Sequence, residues 1–429
     1  MTQRRKKATT FQKQKIAKAQ HRNEFIRKIK IVINAVIGKD GPVELSQTLL
    51  ERLYNSRMHS FKVVVPDQST VPTEIINYTR QIISAWLKTR VVVVIPSKLE
   101  VSVEEFFVVV LTVATNLPNF LNDKSPSKQK LKKKLEKFRL ALESVFEQAT
   151  DDIYNMLLTL DLYHNDIGKT LYWINHEMNP TPGLLSGIDN LMIFNTSKPE
   201  STSVVIEDKT RPVIRLGYSF PNFGIEYITL EPSDLNIVTP IADTPLDVYI
   251  QPHALLRLSE RIDCFMTGTL HYNMFLSFKE PKVFFDSHNN ILIEYRFLGM
   301  KAGYFPVDII DGKIVIRTFL FVTNNGTPEG LMLEKITGLQ KLDKKYLAID
   351  KLSTFMTSDI GNNEKVRKIF INAGCQCLLD LYEKSHTIAT NSSNHFDADL
   401  MLKYIEHDKE YRPGSFKHTT LPDTQPEFI

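Results

Sequence analysis

The chain has little cysteine: three residues among 429, Cys264, Cys375 and Cys377. The count is odd, and two cysteines separated by a single residue cannot easily be joined by a disulfide bond. We therefore expect no disulfide framework, which fits a reducing compartment. The first residues also lack the apolar stretch of a secretory signal, so the sequence predicts a cytoplasmic protein.

Long hydrophobic runs are absent as well. No uninterrupted apolar stretch reaches the roughly 18 residues that predict a membrane span. The most apolar stretch, 101–117, contains Glu104 and Glu105 and is followed by Pro118, which indicates a buried helix. The motifs of P-loop nucleotide hydrolases, dinucleotide-binding folds, zinc proteases and nucleophile-elbow hydrolases do not occur. We expect no membrane partner and no cofactor.

What the chain does contain is the composition of a folded protein. Hydrophobic residues make up 42% and charged residues 24% of the sequence, which excludes a disordered chain, collagen and a coiled-coil rod. At about 150 residues per domain, the length predicts two or three folding units.

Positive charge is concentrated in two segments. Residues 1–40 hold 12 Lys or Arg and 2 Asp or Glu, and residues 124–139 hold 8 Lys or Arg and 1 Asp or Glu. Because the net charge of the whole chain is +4, the remaining residues together carry a charge of −13. Basic segments on an acidic protein are typical of polyanion binding. We predict that the N-terminal segment contacts nucleic acid through Arg4, Arg5, Lys6, Lys7, Lys13 and Lys15. The alternative is that this segment is a solvated tail.

The second basic segment has a different interpretation. Its apolar positions recur at helical spacing, so the lysines are interpreted as the solvated side of a packed helix that begins at Ser125-Pro126. These apolar positions are Leu131, Leu135, Phe138, Leu142 and Phe146.

The pattern along the chain predicts an α+β protein. Its parts are a basic tail and first helix (1–40), a mainly helical domain (41–182), a β-rich region (183–246), a helix packed on a four-stranded antiparallel sheet (247–330), a helical region (331–408) and a polar tail (409–429). The first helix has an apolar stripe at Phe25, Ile29, Val32, Ile33 and Val36. The chain from 10 to about 178 is expected to be mostly helical, with a small two-stranded insertion at 61–65 and 91–95. C-terminal helices are predicted at 341–356, 364–384 and 396–404.

One short helix carries a row of chemically useful side chains. In the segment HALLRLSERI after Pro252, His253, Arg257, Glu260 and Arg261 share one helical face, whereas Leu255, Leu258 and Ile262 share another. Four strand-like runs follow, with turns at 288–290, at Gly299 and at Asp311-Gly312. Arg296 and Arg317 lie within these apolar runs, where a charge needs a carboxylate or a functional reason.

A helix that begins His-Ala-x-x-Arg-x-x-Glu-Arg and precedes four antiparallel strands resembles the BrnT-like and RelE-like toxin ribonuclease domains of the barnase, EndoU, colicin and RelE superfamily. The resemblance covers about residues 247–325. It implies one or two helices packed on a curved antiparallel sheet with RNA laid over its concave surface, in a protein of a bacterium or a mobile element. The matching positions are His253 and Arg257 in the helix, with Arg317 and Thr318 in the last strand. The segment between helix and sheet is longer than in the smallest toxins.

The resemblance implies an RNA-directed domain, active or degenerate, and the chemistry of a metal-independent endoribonuclease can be stated. The 2′-hydroxyl attacks the phosphorus, so the site needs a base, an acid and cations that face the phosphorane. We expect His253 to transfer protons, Arg257 and Arg317 to hold the phosphate, and Glu260 to orient a guanidinium or move a proton. Arg261 and Arg296 are further predicted contacts, with RNA expected rather than DNA.

Two alternatives remain open. Arg257 and Glu260 are an ordinary surface pair if the helix has no catalytic role. The chain is then a non-enzymatic nucleic-acid-binding or assembly protein, with a protein partner as a further expectation.

Three other features support weaker expectations. The C-terminal histidines, His386, His395, His407 and His418, match no metal-binding spacing, and we expect no metal site. The segment 324–330 is predicted to be a turn, with the second interpretation that its glycines admit a ligand. Among the aromatic residues, Phe284, Phe285, Phe297, Phe319 and Phe321 are predicted to be core, whereas Tyr295 and Tyr304 are predicted to be exposed and available for stacking on bases.

Overall fold

The structure, a computed structural model, describes residues 2–38, 45–67, 69–121, 125–181, 187–237, 244–357, 360 and 362–385; at 2–11, 127, 382, 384 and 385 it describes the backbone only. The chain divides into two compact units. Unit 1 comprises Met1–Asp161, Tyr172–Thr196 and Phe220–Gly224, and unit 2 comprises Leu162–Leu171, Ser197–Ser219 and Ile225–Ile429.

The described helices are α1 (Thr2–Ile37), α2 (Gln47–Asn55), α3 (Thr73–Thr89), α4 (Val103–Glu105), α5 (Leu111–Phe120), α6 (Pro126–Ala141), α7 (Glu143–His164), α8 (Pro252–Arg261), α9 (Thr267–Lys279), α10 (Pro328–Thr337), α11 (Lys341–Tyr346), α12 (Leu352–Thr357), α13 (Glu364–Asn372) and α14 (Gln376–Ser385). A π-helical turn spans Phe106–Val110, and a 3₁₀ turn spans Pro232–Leu235.

The described strands are β1 (Lys62–Val64), β2 (Val91–Ile95), β3 (Leu99–Ser102), β4 (Leu171–Pro180), β5 (Ile188–Ser197), β6 (Ser201–Ile206), β7 (Lys209–Arg215), β8 (Gly217–Phe220), β9 (Gly224–Tyr227), β10 (Thr229–Leu230), β11 (Leu246–Ile250), β12 (Val283–Phe285), β13 (Ile291–Phe297), β14 (Met300–Ile310), β15 (Lys313–Ile316) and β16 (Leu320–Phe321). The α+β class predicted from the sequence is confirmed.

Unit 1 is built around the C-terminal half of α1. Its predicted apolar stripe packs into the core, where Ile29 is fully buried, and the helix is followed by Gly38 in the left-handed conformation (φ +67°), as helix C-termini prefer. Residues 12–20 of the same helix are exposed on every side. The predicted helix with a solvated lysine side is confirmed in α6, where Leu131 and Leu135 are buried, but it ends at Ala141 and the predicted position Phe146 lies in α7.

The apolar stretch after β3 is a buried helix, as predicted. It begins with a capping box in which Ser102 Oγ accepts from the Glu105 backbone N–H and Glu105 Oε2 accepts from that of Ser102. Val103–Phe120 is the single span within the described residues that is long and apolar enough to cross a membrane, and 61% of it is buried inside the protein.

The predicted two-stranded insertion is wrong in its pairing. β1 pairs in parallel with β5 in a three-stranded sheet of order β1-β5-β4, whereas β2 pairs with β3. The helical assignment up to about 178 also ends too late, because Leu171–Pro180 is strand β4. The first error arises because β5 is distant in sequence from β1, and such a partner leaves no local signal.

Unit 2 contains a mixed nine-stranded sheet. Its main order is β12-β13-β14-β15-β11-β7-β6, with β10 on β11 and β16 on β14. The four predicted runs form the antiparallel series β12 to β15, and Asp311 and Gly312 both have positive φ in the turn between β14 and β15. The sheet then continues, because β15 pairs in parallel with β11, the strand that leads into α8. Helix α9 packs on β13.

The predicted exposure of the aromatic residues is partly wrong. Tyr295 and Tyr304 are buried, and their hydroxyls donate to Leu270 O at 3.3 Å and to Glu329 Oε1 at 3.0 Å. Phe284 and Phe285 are exposed because β12 is the edge strand, whereas Phe297, Phe319 and Phe321 are core residues as predicted. The two tyrosines therefore offer no surface on which a base could stack.

The C-terminal helices are shorter than predicted. The segment 341–356 contains α11 and α12 with a break between them, and 364–384 contains α13 and α14. The predicted helix at 396–404 lies outside the described residues.

Candidate functional site

Helix α8 presents the polar row that the sequence predicts. Pro252 occupies the first helical position, where its missing N–H costs nothing. Leu255, Leu258 and Ile262 are buried, so the opposite face is left for His253 and the charged residues. The two-faced pattern of the sequence is confirmed for this helix.

The polar row is joined by hydrogen bonds. Arg257 Nε donates to His253 Nε2 at 3.4 Å, and Arg257 Nη1 donates to Glu260 Oε2 at 2.6 Å. In this contact His253 Nε2 is the acceptor, since a guanidinium has donors and no acceptor. At 3.4 Å this contact is longer than a typical hydrogen bond and is therefore weak.

A groove of about 590 Å³ opens beside this row. Its walls come from α8, from the chain that follows β15, from the turn before α10, and from α11 with the residue Asp350 beyond it. The lining residues are His253, Arg257, Arg261, Thr318, Phe319, Leu320, Asn324, Asn325, Gly326, Lys341, Lys344, Lys345 and Asp350. The lining thus contains five basic side chains and one carboxylate, so its formal charge is positive.

Arg261 and Asp350 form the ion pair of the groove. The carboxylate is 6% exposed and the guanidinium 15% exposed. Since its charge is matched by Asp350, Arg261 contributes less to the net positive charge of the groove than the lysines of α11 do. The pair ties α8 to the segment after α11.

Arg317 is not among the residues that line the groove. Its Nη1 donates to Asp308 Oδ2 at 2.9 Å and its Nη2 to Glu207 Oε1 at 3.1 Å. The next two residues, Thr318 and Phe319, do line the groove. The structure therefore brings His253, Arg257 and Thr318 to one site and leaves Arg317 between two carboxylates.

Glu260 and Arg296 also lie outside the groove lining. Glu260 is occupied by Arg257. Arg296 Nη2 donates to the carbonyl of Glu280 at 2.6 Å, just past the C-terminus of α9. A cation at this position stabilises the helix end.

The predicted N-terminal contacts lie in α1 of unit 1. Lys13 and Lys15 are exposed. Arg4, Arg5, Lys6 and Lys7 lie within the helix, and their side chains are outside the described ones.

The lysines of α11 were not predicted as site residues from the sequence. Lys341, Lys344 and Lys345 are spaced by three and four residues, which places them on one helical face. This spacing was visible in the sequence, but nothing local indicates that the face is turned toward α8. The interpretation of 324–330 as a turn is confirmed, and Asn324, Asn325 and Gly326 lie in the groove wall.

No group of three or more potential metal ligands occurs among the described side chains. The four C-terminal histidines lie beyond them. Comparison of the chain with protein-family models, curated proteins and solved structures finds no match.

Proposed function

We propose that unit 2 binds RNA in the groove beside α8 and cleaves it without a metal ion, with His253 as a proton-transfer group. The observation that supports this proposal is the convergence of His253 with five basic side chains on one groove. Basic side chains gathered on one surface neutralise phosphates and release their counterions. The helix-and-strand pattern that resembles the toxin ribonucleases lies in the same unit.

The proposed reaction balances without an added co-reactant. The 2′-oxygen forms a bond to phosphorus, the bond from phosphorus to the 5′-oxygen breaks, and the products are a 2′,3′-cyclic phosphate and a 5′-hydroxyl end. Neutral His253 accepts the proton of the 2′-hydroxyl and later returns it to solvent, while the leaving 5′-oxygen takes up a proton from solvent water. Arg257 donates hydrogen bonds to the phosphorane oxygens, where negative charge accumulates.

Binding without cleavage is the second candidate function. Glu260 is held by Arg257, and Arg317 is held by Asp308 and Glu207. As the chain stands, Glu260 is therefore not available to move a proton, and Arg317 is not available to hold the phosphate. This observation favours a nucleic-acid-binding or assembly protein as the alternative.

The experiment measures cleavage and binding of labelled single-stranded RNA in the presence of a chelator. We expect His253→Ala to abolish cleavage and to leave the dissociation constant within about threefold of wild type, since the five basic side chains of the groove remain to bind phosphates. His288→Ala is the matched control, because His288 is exposed on the turn before β13. Binding without cleavage by the wild type selects the second candidate, and absence of binding refutes both.

The groove itself is tested with Lys341→Gln/Lys345→Gln. Both lysines are exposed, so the double variant is expected to fold. With two fewer phosphates neutralised, the salt slope of RNA binding should fall by about 1.4, at about 0.7 per phosphate for a single strand. Lys365→Gln/Lys368→Gln on α13 is the control, and an equal effect of both pairs would mean that RNA does not use the groove.

A further inference from the structure

Lys344 differs from the other lysines of the groove because it is buried. Lys344 is 2% exposed, yet it belongs to the groove lining. Lys341 and Lys345 on the same helix are exposed. Lysine is almost never fully buried unless its charge is paired. The position therefore requires an explanation of how the ammonium is stabilised.

The described partners of this ammonium are neutral. Lys344 Nζ donates to Asn325 Oδ1 at 2.5 Å and to the carbonyl of Gly330 at 2.7 Å. Asn325 is oriented by Glu334, whose Oε2 accepts from Asn325 Nδ2 at 2.5 Å. An ammonium has three N–H donors, and the third has no acceptor within the described part of the chain.

Burial makes the charged form of Lys344 costly. It lowers the pKa of this lysine to about 8, although Glu334, Cys375 and Asp343 act in the opposite direction. No carboxylate oxygen of the described residues is within ion-pairing distance of its Nζ. The other charged or titratable groups on the groove walls are His253, Arg257, Arg261, Lys341, Lys345 and Asp350, so the surroundings are mainly cationic and an anion is what the site lacks.

We propose that Lys344 forms the inner end of a subsite for one tetrahedral phosphate group, which accepts its third N–H. Lys341 and Lys345 flank Lys344 on the same face of α11 and add charge to the subsite. Asn325 fixes the direction of the ammonium, and Glu334 fixes Asn325. The subsite rests on the proposed use of the groove for RNA, because it holds one phosphate of that chain.

Sulfate is the probe of choice, since it is a tetrahedral dianion whose charge is constant between pH 7 and pH 9. We expect the wild type to bind sulfate about tenfold more weakly at pH 9 than at pH 7, because Lys344 deprotonates across this range. Lys344→Gln should bind at least about tenfold more weakly at pH 7, the loss of one charged hydrogen bond, and without that pH dependence. Lys335→Gln, an exposed lysine of α10, should behave as the wild type. Equal binding and pH dependence in Lys344→Gln and the wild type would overturn the proposal.

A second measurement needs no variant, which matters if Lys344→Gln fails to fold. Reductive methylation of the wild type is read at Lys344 by mass spectrometry with and without sulfate. Sulfate should slow methylation of Lys344 and leave Lys335 unchanged, and an unchanged rate at Lys344 would mean that the lysine only fastens the turn to α11. Sulfate protection without RNA binding would refute the proposed function and leave the subsite standing. RNA binding without sulfate protection of Lys344 would refute the subsite and leave the proposed RNA binding standing.

Discussion

Three arginines of unit 2 show how a charged side chain is accommodated near apolar strands. Arg317 is held by two carboxylates, Arg296 donates to a carbonyl at the end of α9, and Arg261 is paired with Asp350. The sequence predicted that Arg296 and Arg317 need a carboxylate or a functional reason. For Arg317 the carboxylates are Asp308 and Glu207, and the second of these is 110 positions away. A partner at that distance cannot be found from the local pattern.

His271 is a buried histidine whose ring accepts a hydrogen bond. Its Nδ1 accepts from the backbone N–H of Ile167 at 3.1 Å, and the residue is 2% exposed. Burial lowers the pKa of His271 to about 4, although Asp166 nearby favours the charged form. The neutral ring is therefore the one compatible with the fold.

This pKa predicts a loss of stability in acid. Between pH 6.5 and pH 4 the unfolded chain binds a proton at His271 that the folded chain does not, so the free energy of unfolding falls as the pH is lowered through this window, by as much as about 3 kcal/mol. His271→Asn retains an acceptor but does not titrate, and should flatten this part of the stability curve in urea unfolding. His288→Asn, at an exposed position, should not. A wild-type slope in His271→Asn would contradict the assignment.

At the scale of elements, the turn before α10 shapes one wall of the groove. The turn is held from within, because Thr327 Oγ1 donates to Val322 O at 2.6 Å and accepts from Gly330 N at 3.0 Å. Gly330 is packed so closely that a Cβ added there would lie 1.8 Å from the carbonyl oxygen of Asn324. A side chain at this position must displace the backbone of the turn.

We therefore expect Gly330→Ala to cost more than about 2 kcal/mol in chemical unfolding. The shift should also move Asn325 away from Lys344 and weaken sulfate binding. Gly326→Ala is the matched control in the same turn, since its Cβ would meet the movable Leu320 Cδ1 at 3.0 Å. Similar stability of the two variants would show that the turn yields without strain.

Charge is the property that belongs to the whole molecule. The chain carries +4 overall, with 12 basic residues in positions 1–40. Residues 12–20 of α1 are exposed on every side, so the basic residues there do not serve a core. Such a segment is available for the backbone of a nucleic acid.

Deletion of residues 1–22 tests whether the N-terminal segment of α1 binds a nucleic-acid backbone. If the segment binds phosphates, the slope of log affinity against log salt should become shallower by about 0.9 for each duplex phosphate that the segment neutralises. The measurement is a salt titration of duplex binding by the full and the shortened chain. Lys365→Gln/Lys368→Gln in the full chain controls for a general decrease in positive charge, and an unchanged slope in the deletion would mean that α1 touches no phosphate.

The local sequence was sufficient to predict the helix, strands and turn around the site. The polar and apolar faces of α8, the antiparallel series β12 to β15 and the Asp311-Gly312 turn all follow from periodicity and turn chemistry, which depend on residues a few positions apart. The burial of Tyr295 and Tyr304 could not be foreseen in this way. It depends on α9, which packs on β13, and on Glu329, which accepts from Tyr304.

The set of residues that line the groove was decided by contacts between residues distant in sequence. The sequence by itself placed His253 and Arg257 on one face and three lysines on one side of α11, because helical spacing alone determines those faces. That the two helices meet across a groove, that Lys344 is buried there, and that Arg317 is drawn to Asp308 and Glu207 depended on the folded chain. Packing and ion pairing join residues according to distance in space, and that distance is set only when the sheet and its helices have assembled.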